Sequence, residues 1–191
     1  MPDDSLLASL FADDCAAHTV VPMVGTAEYR ALRAADAERR KRAFARLREL
    51  DAAPPGPTAA DRYHVAWLMN HGDTPAEAKL AHTLARQAAM GGHDAARWLS
   101  AAAWDRACMY EGRPQRFGTQ IVPDGVRWRL WDVDPATTDA DRAACDVPPL
   151  AVMEARAATM TAAQPPASEA PVWLRASLAT WAAERGGAIG R

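Results

Sequence analysis

Apolar residues recur at helical spacing along most of the chain and alternate over one short stretch. From Thr26 to Leu50, the positions Tyr29, Leu32, Ala43, Phe44, Leu47 and Leu50 predict a long helix with Thr26 as its N-cap. Three prolines and a glycine between Ala52 and Pro57 break it. Thr58 to Asn70 predicts a second helix, closed by His71-Gly72. Thr74 caps a third, with Pro75 in its first turn, that ends before Gly91-Gly92. A fourth runs from about Asp94 to Glu111 and stops at Gly112-Arg113-Pro114. Shorter helical patterns cover 4–14, Asp139 to Cys145, Leu150 to Ala163 and Ala170 to Arg185. The last offers Trp173, Leu174, Leu178 and Trp181 as a docking face, after a Pro-rich link at Gln164 to Ala167.

The period changes after Pro114. Phe117, Thr119 and Ile121 alternate with Arg116, Gly118 and Gln120, and Val126, Trp128 and Leu130 alternate with Arg127, Arg129 and Trp131. Pro123-Asp124-Gly125 supplies turn chemistry between them. This predicts a β-hairpin at about 116–133, with Ile121 opposite Val126, Thr119 opposite Trp128 and Phe117 opposite Leu130. The expected fold is mainly α: an antiparallel helical bundle carrying one β-hairpin. The helix pair over 76–111 has the look of a tetratricopeptide unit, but one pair is too few for a solenoid. The expected organisation is an N-terminal helix and connector over 1–25, a helical domain over 26–163, and a link with a docking helix over 164–191.

Composition agrees with helices. Alanine, the best helix former, fills 45 of 191 positions. A formal net charge of −2 argues against a nucleic-acid binder and against polybasic membrane attachment. No run of apolar residues reaches the length of a membrane span. Cys15, Cys108 and Cys145 are widely spaced and form no CxxC pair, which suits reduced thiols. With the acidic start Met-Pro-Asp-Asp-Ser, that points to the cytoplasm. GxSxG, GxGxxG, Walker and HExxH motifs are missing, so neither a cofactor nor a metal is expected. His71, Asp73, His82, His93 and Asp94 lie close in sequence, but at no known metal spacing.

Polar residues on apolar faces are the candidates for chemistry. Asp36 and Arg40 fall on the stripe of the long helix that should face the core, either as a local pair or lining a cleft. His71 ends the second helix, where it is either a capping residue or a general acid/base. Asp105 and Arg106 lie on a mainly apolar surface of the fourth helix, as a clamp or as site residues. Arg116, Gln120, Arg127 and Arg129 share one face of the hairpin, either solvated or holding an anion.

The segments Ala66-Trp67-Leu68-Met69-Asn70-His71-Gly72-Asp73, Asp105-Arg106 and Gly112-Arg113-Pro114-Gln115-Arg116-Phe117-Gly118-Thr119-Gln120 form a pattern that resembles a bacterial family catalogued as domain of unknown function 6624. The closing stretch with Arg142 and Pro148-Pro149-Leu150 is similar to that family as well, so the resemblance covers roughly 26–155. Asn70, Gly72 and Phe117 depart from it, standing where Gln, Ala and Tyr are usual. The resemblance implies weight for His71, Asp73, Asp105, Arg106, Gln115, Thr119 and Gln120, but no reaction.

Together these readings set one expectation. A single cleft would join His71, as general acid/base oriented by Asp105 or Asp36, to the binding residues Arg40, Asp73, Arg106, Gln115, Thr119 and Gln120. The protein would be a metal-independent enzyme acting on a small polar or anionic substrate by hydrolysis, elimination or cyclisation. A homodimer is compatible with the sequence. The alternative is a non-catalytic helical module of tetratricopeptide type that binds a peptide or protein partner.

Overall fold

The computed structural model describes residues 2–22, 25–163 and 172–188. The described chain is mainly helical, with one small antiparallel sheet. Its order is α1 (Ser5–Ala17), α2 (Ala27–Asp51), α3 (Ala59–Asn70), α4 (Pro75–Met90), α5 (Ala96–Tyr110), β1 (Ile121–Pro123), β2 (Trp128–Leu130), α6 (Asp139–Ala143), α7 (Leu150–Ala163) and α8 (Val172–Ala188). Among the described residues no helix is long and apolar enough to cross a membrane.

Side-chain caps fix the helix starts. Thr58, Thr74 and Thr138 each form a capping box with the acidic residue three positions on, and Thr26 accepts from the Tyr29 amide. Asp4 caps α1, binds Arg46 of α2 through its carboxylate, and donates its own N–H to Asp61 of α3. One short segment thus pins three helix ends together.

The main core lies among α1, α2, α3, α4 and α5. Leu7, Leu10, Leu47, Val65, Leu68, Leu84 and Leu99 fill it, and Ala66, Ala81, Ala85, Ala88 and Ala103 let the helix axes approach closely. A second core joins Met109, Val122 and Trp131 to Leu174 and Trp181, so α8 docks on the hairpin through part of its expected face. The Trp131 and Trp181 rings meet edge to face at 5.5 Å, and Arg129 lies over Trp181 at 4.2 Å. The Trp173 side chain and the Gln164 to Ala167 link lie outside the described residues.

Two sequence expectations need correction. The hairpin register is Ile121 opposite Leu130, Val122 opposite Arg129 and Pro123 opposite Trp128. Asp124 causes the shift. Its side chain accepts from the amides of Val126 and Arg127, and its own N–H donates to the Arg127 carbonyl, so the turn lies two residues later than the Pro-Asp-Gly motif suggested. Residues 115–120 therefore stay outside the strand. On α2 the buried stripe is Asp36, Arg40, Ala43 and Leu47, while Phe44 is exposed.

Candidate functional site

The sequence candidates separate into two groups. The first gathers around Asp14, which is 1% exposed. Asp14 and His18 stand one turn apart on one face of α1, with His18 as the C-cap. From α3, His71 Nδ1 lies 2.8 Å from Asp14 Oδ2, and the Trp67 indole N–H donates to the same oxygen at 3.1 Å. From α2, the Arg39 Nε donates to the other oxygen at 3.3 Å. Hydrogen bonding to His71, with the charges of His71, His18 and Arg39, outweighs burial and holds the Asp14 carboxyl below its ordinary range. An ionised carboxylate can only accept, so His71 carries its proton on Nδ1.

Burial pushes the His71 pKa below its ordinary value against the pull of Asp14, and the charges of Arg106 and His18 push the same way. His71 is therefore a neutral imidazole near pH 7 with its lone pair on Nε2. Its side chain is 19% exposed. The His18 ring lies 4.4 Å from it. His18 Nδ1 donates to the Asp14 carbonyl at 2.9 Å, and its Nε2 is 3.6 Å from Asp36.

Arginines surround this pair. Asp36 is bound by Arg33 and Arg39, three residues away on either side, and not by Arg40 as a local pair would require. Arg40 reaches Glu77 at 2.9 Å, Asp73 at 3.3 Å and the His71 carbonyl at 3.2 Å. Arg33 binds Asp73 and donates to the same carbonyl. The carbonyl of His71, the C-cap of α3, is thus held by two guanidinium groups, while the His71 ring turns towards Asp14. The Tyr110 hydroxyl donates to the Gly72 carbonyl at 2.8 Å. A Cβ at Gly72 would stand 2.6 Å from the Glu77 Cβ, so the glycine gives Glu77 room to cap α4. Two buried polar atoms in this region have no hydrogen-bond partner among the described residues: Asn70 Oδ1, on the residue before His71, and Arg106 Nε.

The second group is built on Asp105, which is fully buried. Its carboxylate accepts from the amides of Arg116, Phe117 and Thr119, and from the Thr119 hydroxyl at 2.8 Å. Gln115 donates to the carbonyls of Gln120 and Trp131 and accepts from the Gln120 amide. Gln120 donates to the Ala102 carbonyl of α5 and to the Thr119 hydroxyl. From the other side, buried Arg142 donates to the Phe117 carbonyl. These contacts wrap 115–120 around Asp105 and fasten the hairpin to α5.

The single expected cleft is therefore corrected. Asp105, Gln115, Thr119 and Gln120 spend their hydrogen bonds on the loop backbone, and Asp14 takes the place at His71 that Asp105 or Asp36 was expected to fill. Asp105 and Arg106 are adjacent on α5 and so point in different directions. Arg106 alone of this pair acts electrostatically on His71. Asp14 and His18 escaped the sequence reading because the first helix was expected to end at 14. An acid and a histidine four apart on a longer helix would have been the signal.

Asp14, His18 and His71 each offer one atom within 4.8 Å of the others, a set that could hold a metal ion. The contact of 2.8 Å between His71 Nδ1 and Asp14 is a direct hydrogen bond. An ion held by those two atoms would have to replace it. In comparisons with known proteins, no family model, curated protein or solved structure matches the chain.

Proposed function

We propose that the chain is a metal-independent enzyme that uses His71 for acid–base catalysis on a small polar or anionic substrate. The observation that carries this reading is a neutral imidazole hydrogen-bonded through Nδ1 to a buried, ionised Asp14, at a partly exposed place ringed by arginines. Nε2 of His71 takes a proton, and Asp14 stabilises the imidazolium that results. In an elimination the proton comes from a C–H bond, its electron pair forms the double bond, and the leaving group departs and receives the proton back. In a hydrolysis or cyclisation the proton comes from water or from a substrate O–H or N–H as that atom attacks. Arg106, whose Nε has no partner among the described residues, supplies the charge for an anionic group. Arg33, Arg40, Asp73 and Glu77 hold the end of α3 in place.

The test has two parts. Protein with 15N-labelled histidine is titrated with phosphate, acetate and malonate, and ester, amide and 2-hydroxy-acid panels are screened for turnover. The expected result is saturable movement of the His71 resonances, weakened at least tenfold in Arg106→Gln. Any turnover found should fall by about 10²–10⁴-fold in His71→Gln, the usual range for a lost general base. Anions that leave His71 unmoved, or turnover that survives His71→Gln, would overturn the reading.

A further inference from the structure

An open cavity of about 490 Å³ lies along α4 and α5, bordered by the 116–117 loop and by the residues after α6, and it shares no lining residue with the Asp14–His71 site. That volume is within the range of small-molecule sites. Trp104 and Phe117 supply apolar surface, and Arg86, Arg97 and Arg116 stand around it. Two of the three guanidinium groups are engaged. Arg97 binds Asp146 at 2.6 Å, while Arg116 lies over the Phe117 ring at 5.2 Å and 4.0 Å from Asp141. Arg86 is exposed and makes no hydrogen bond or ion pair among the described residues.

His82 adds a polar wall that carries no charge of its own. Its Nδ1 donates to the Ser100 carbonyl at 2.9 Å, and its ring lies 5.2 Å from Trp104. Burial, and then the charge of Arg86, push its pKa below the ordinary value. Burial likewise raises the Cys145 thiol at the cavity wall. The lining thus combines an aromatic surface, two neutral polar groups and an excess of positive charge. Positive charge beside an aromatic floor complements a molecule with an apolar body and an anionic end.

We infer that this cavity is a second binding site, for a small amphipathic anion: a carboxylate or sulfonate carried on an aromatic or other apolar body. The body packs on Trp104 and Phe117, and the anion meets Arg86 and Arg116.

Anilinonaphthalene sulfonate is the probe, and neutral phenylnaphthylamine the control without the anion. The 191-residue chain should bind the sulfonate saturably, with one site per chain, and at least tenfold more tightly than the neutral analogue. Arg86→Gln removes an exposed side chain with no hydrogen bond or ion pair among the described residues, so its melting temperature should stay unchanged while sulfonate affinity falls at least tenfold. Trp104→Leu should weaken both probes, and Arg86→Gln only the charged one. Equal affinity for the two probes, unchanged sulfonate binding in Arg86→Gln, or sulfonate binding that moves the His71 resonances in place of Trp104 would each overturn the inference.

Discussion

Asp105→Asn separates a structural carboxylate from a catalytic one. The native side chain accepts two contacts at Oδ1, from the amides of Arg116 at 2.7 Å and Phe117 at 2.9 Å. Oδ2 accepts from the Thr119 amide at 3.0 Å and its hydroxyl at 2.8 Å. Asparagine keeps one oxygen and turns the other into an NH2 that faces the Thr119 N–H. The hydroxyl can rotate to accept, but the amide cannot. One stranded buried donor costs about 1–3 kcal/mol. Loss of the charge from the remaining bonds costs about 1 kcal/mol for each, since hydrogen bonds to charged groups contribute about 1.5–3 kcal/mol against about 1 for neutral ones. The sum is about 3–5 kcal/mol, or a fall in Tm of roughly 10 °C for a chain of this size. Urea denaturation and calorimetry read the stability, and histidine NMR reads the site. The expected outcome is a large loss of stability with the tautomer of His71 unchanged, because Asp14 is still its partner. A loss under about 1 kcal/mol, or a His71 resonance that titrates differently, would refute the reasoning and return Asp105 to the reacting group.

Other outcomes follow from the same contacts. Asp14→Asn should cost about 3 kcal/mol or more, as for a broken buried charge pair, and should lower the His71 pKa further because Asp14 holds it up; denaturation and NMR titration check both. Gln115→Leu should strand the Gln120 amide and the Trp131 carbonyl, while the Gln120 carbonyl keeps the Trp131 amide, at a cost of at least about 2 kcal/mol, seen as early loss of hairpin amide protection in hydrogen exchange. Stability should also fall on mild acidification. His64, His71 and His82 all have folded pKa values below 6.5, chiefly through burial, so the unfolded chain binds protons first as the pH drops. Their contribution is complete above 6.5 and is lost as the pH falls towards the folded values. Asp14 and Asp4, both lowered, add a second loss below 3.8. His71→Gln should remove part of the first loss and leave the shares of His64 and His82, as measured by Tm against pH.

Helix positions were legible because the local signals were strong. Thr26 and Thr74 cap as expected, and the breaks at Ala52 to Pro57 and Gly91-Gly92 match helix ends. The register was not legible, because one side chain, Asp124, moves the turn. Periodicity marked Asp36, Arg40, His71 and Asp105 as polar groups on buried faces, and Asp36, Arg40 and Asp105 are buried. It could not reveal which partners they meet. Asp105 and His71 are consumed by residues far away in sequence, a loop in one case and α1 in the other. Asp14 stood at the end of the short helix expected over 4–14 and was not singled out. Its burial depends on Trp67, Arg39 and His71, which only the tertiary fold brings to it.

The protonation of His71 is the measurement closest to the centre of this account. Long-range 1H–15N correlation across pH 4–9 should show a neutral ring near pH 7 with the proton on Nδ1, an apparent pKa below 6.5, and a change of both in Asp14→Asn. A ring protonated at Nε2, or one that titrates like a free imidazole whether or not Asp14 is present, would contradict it.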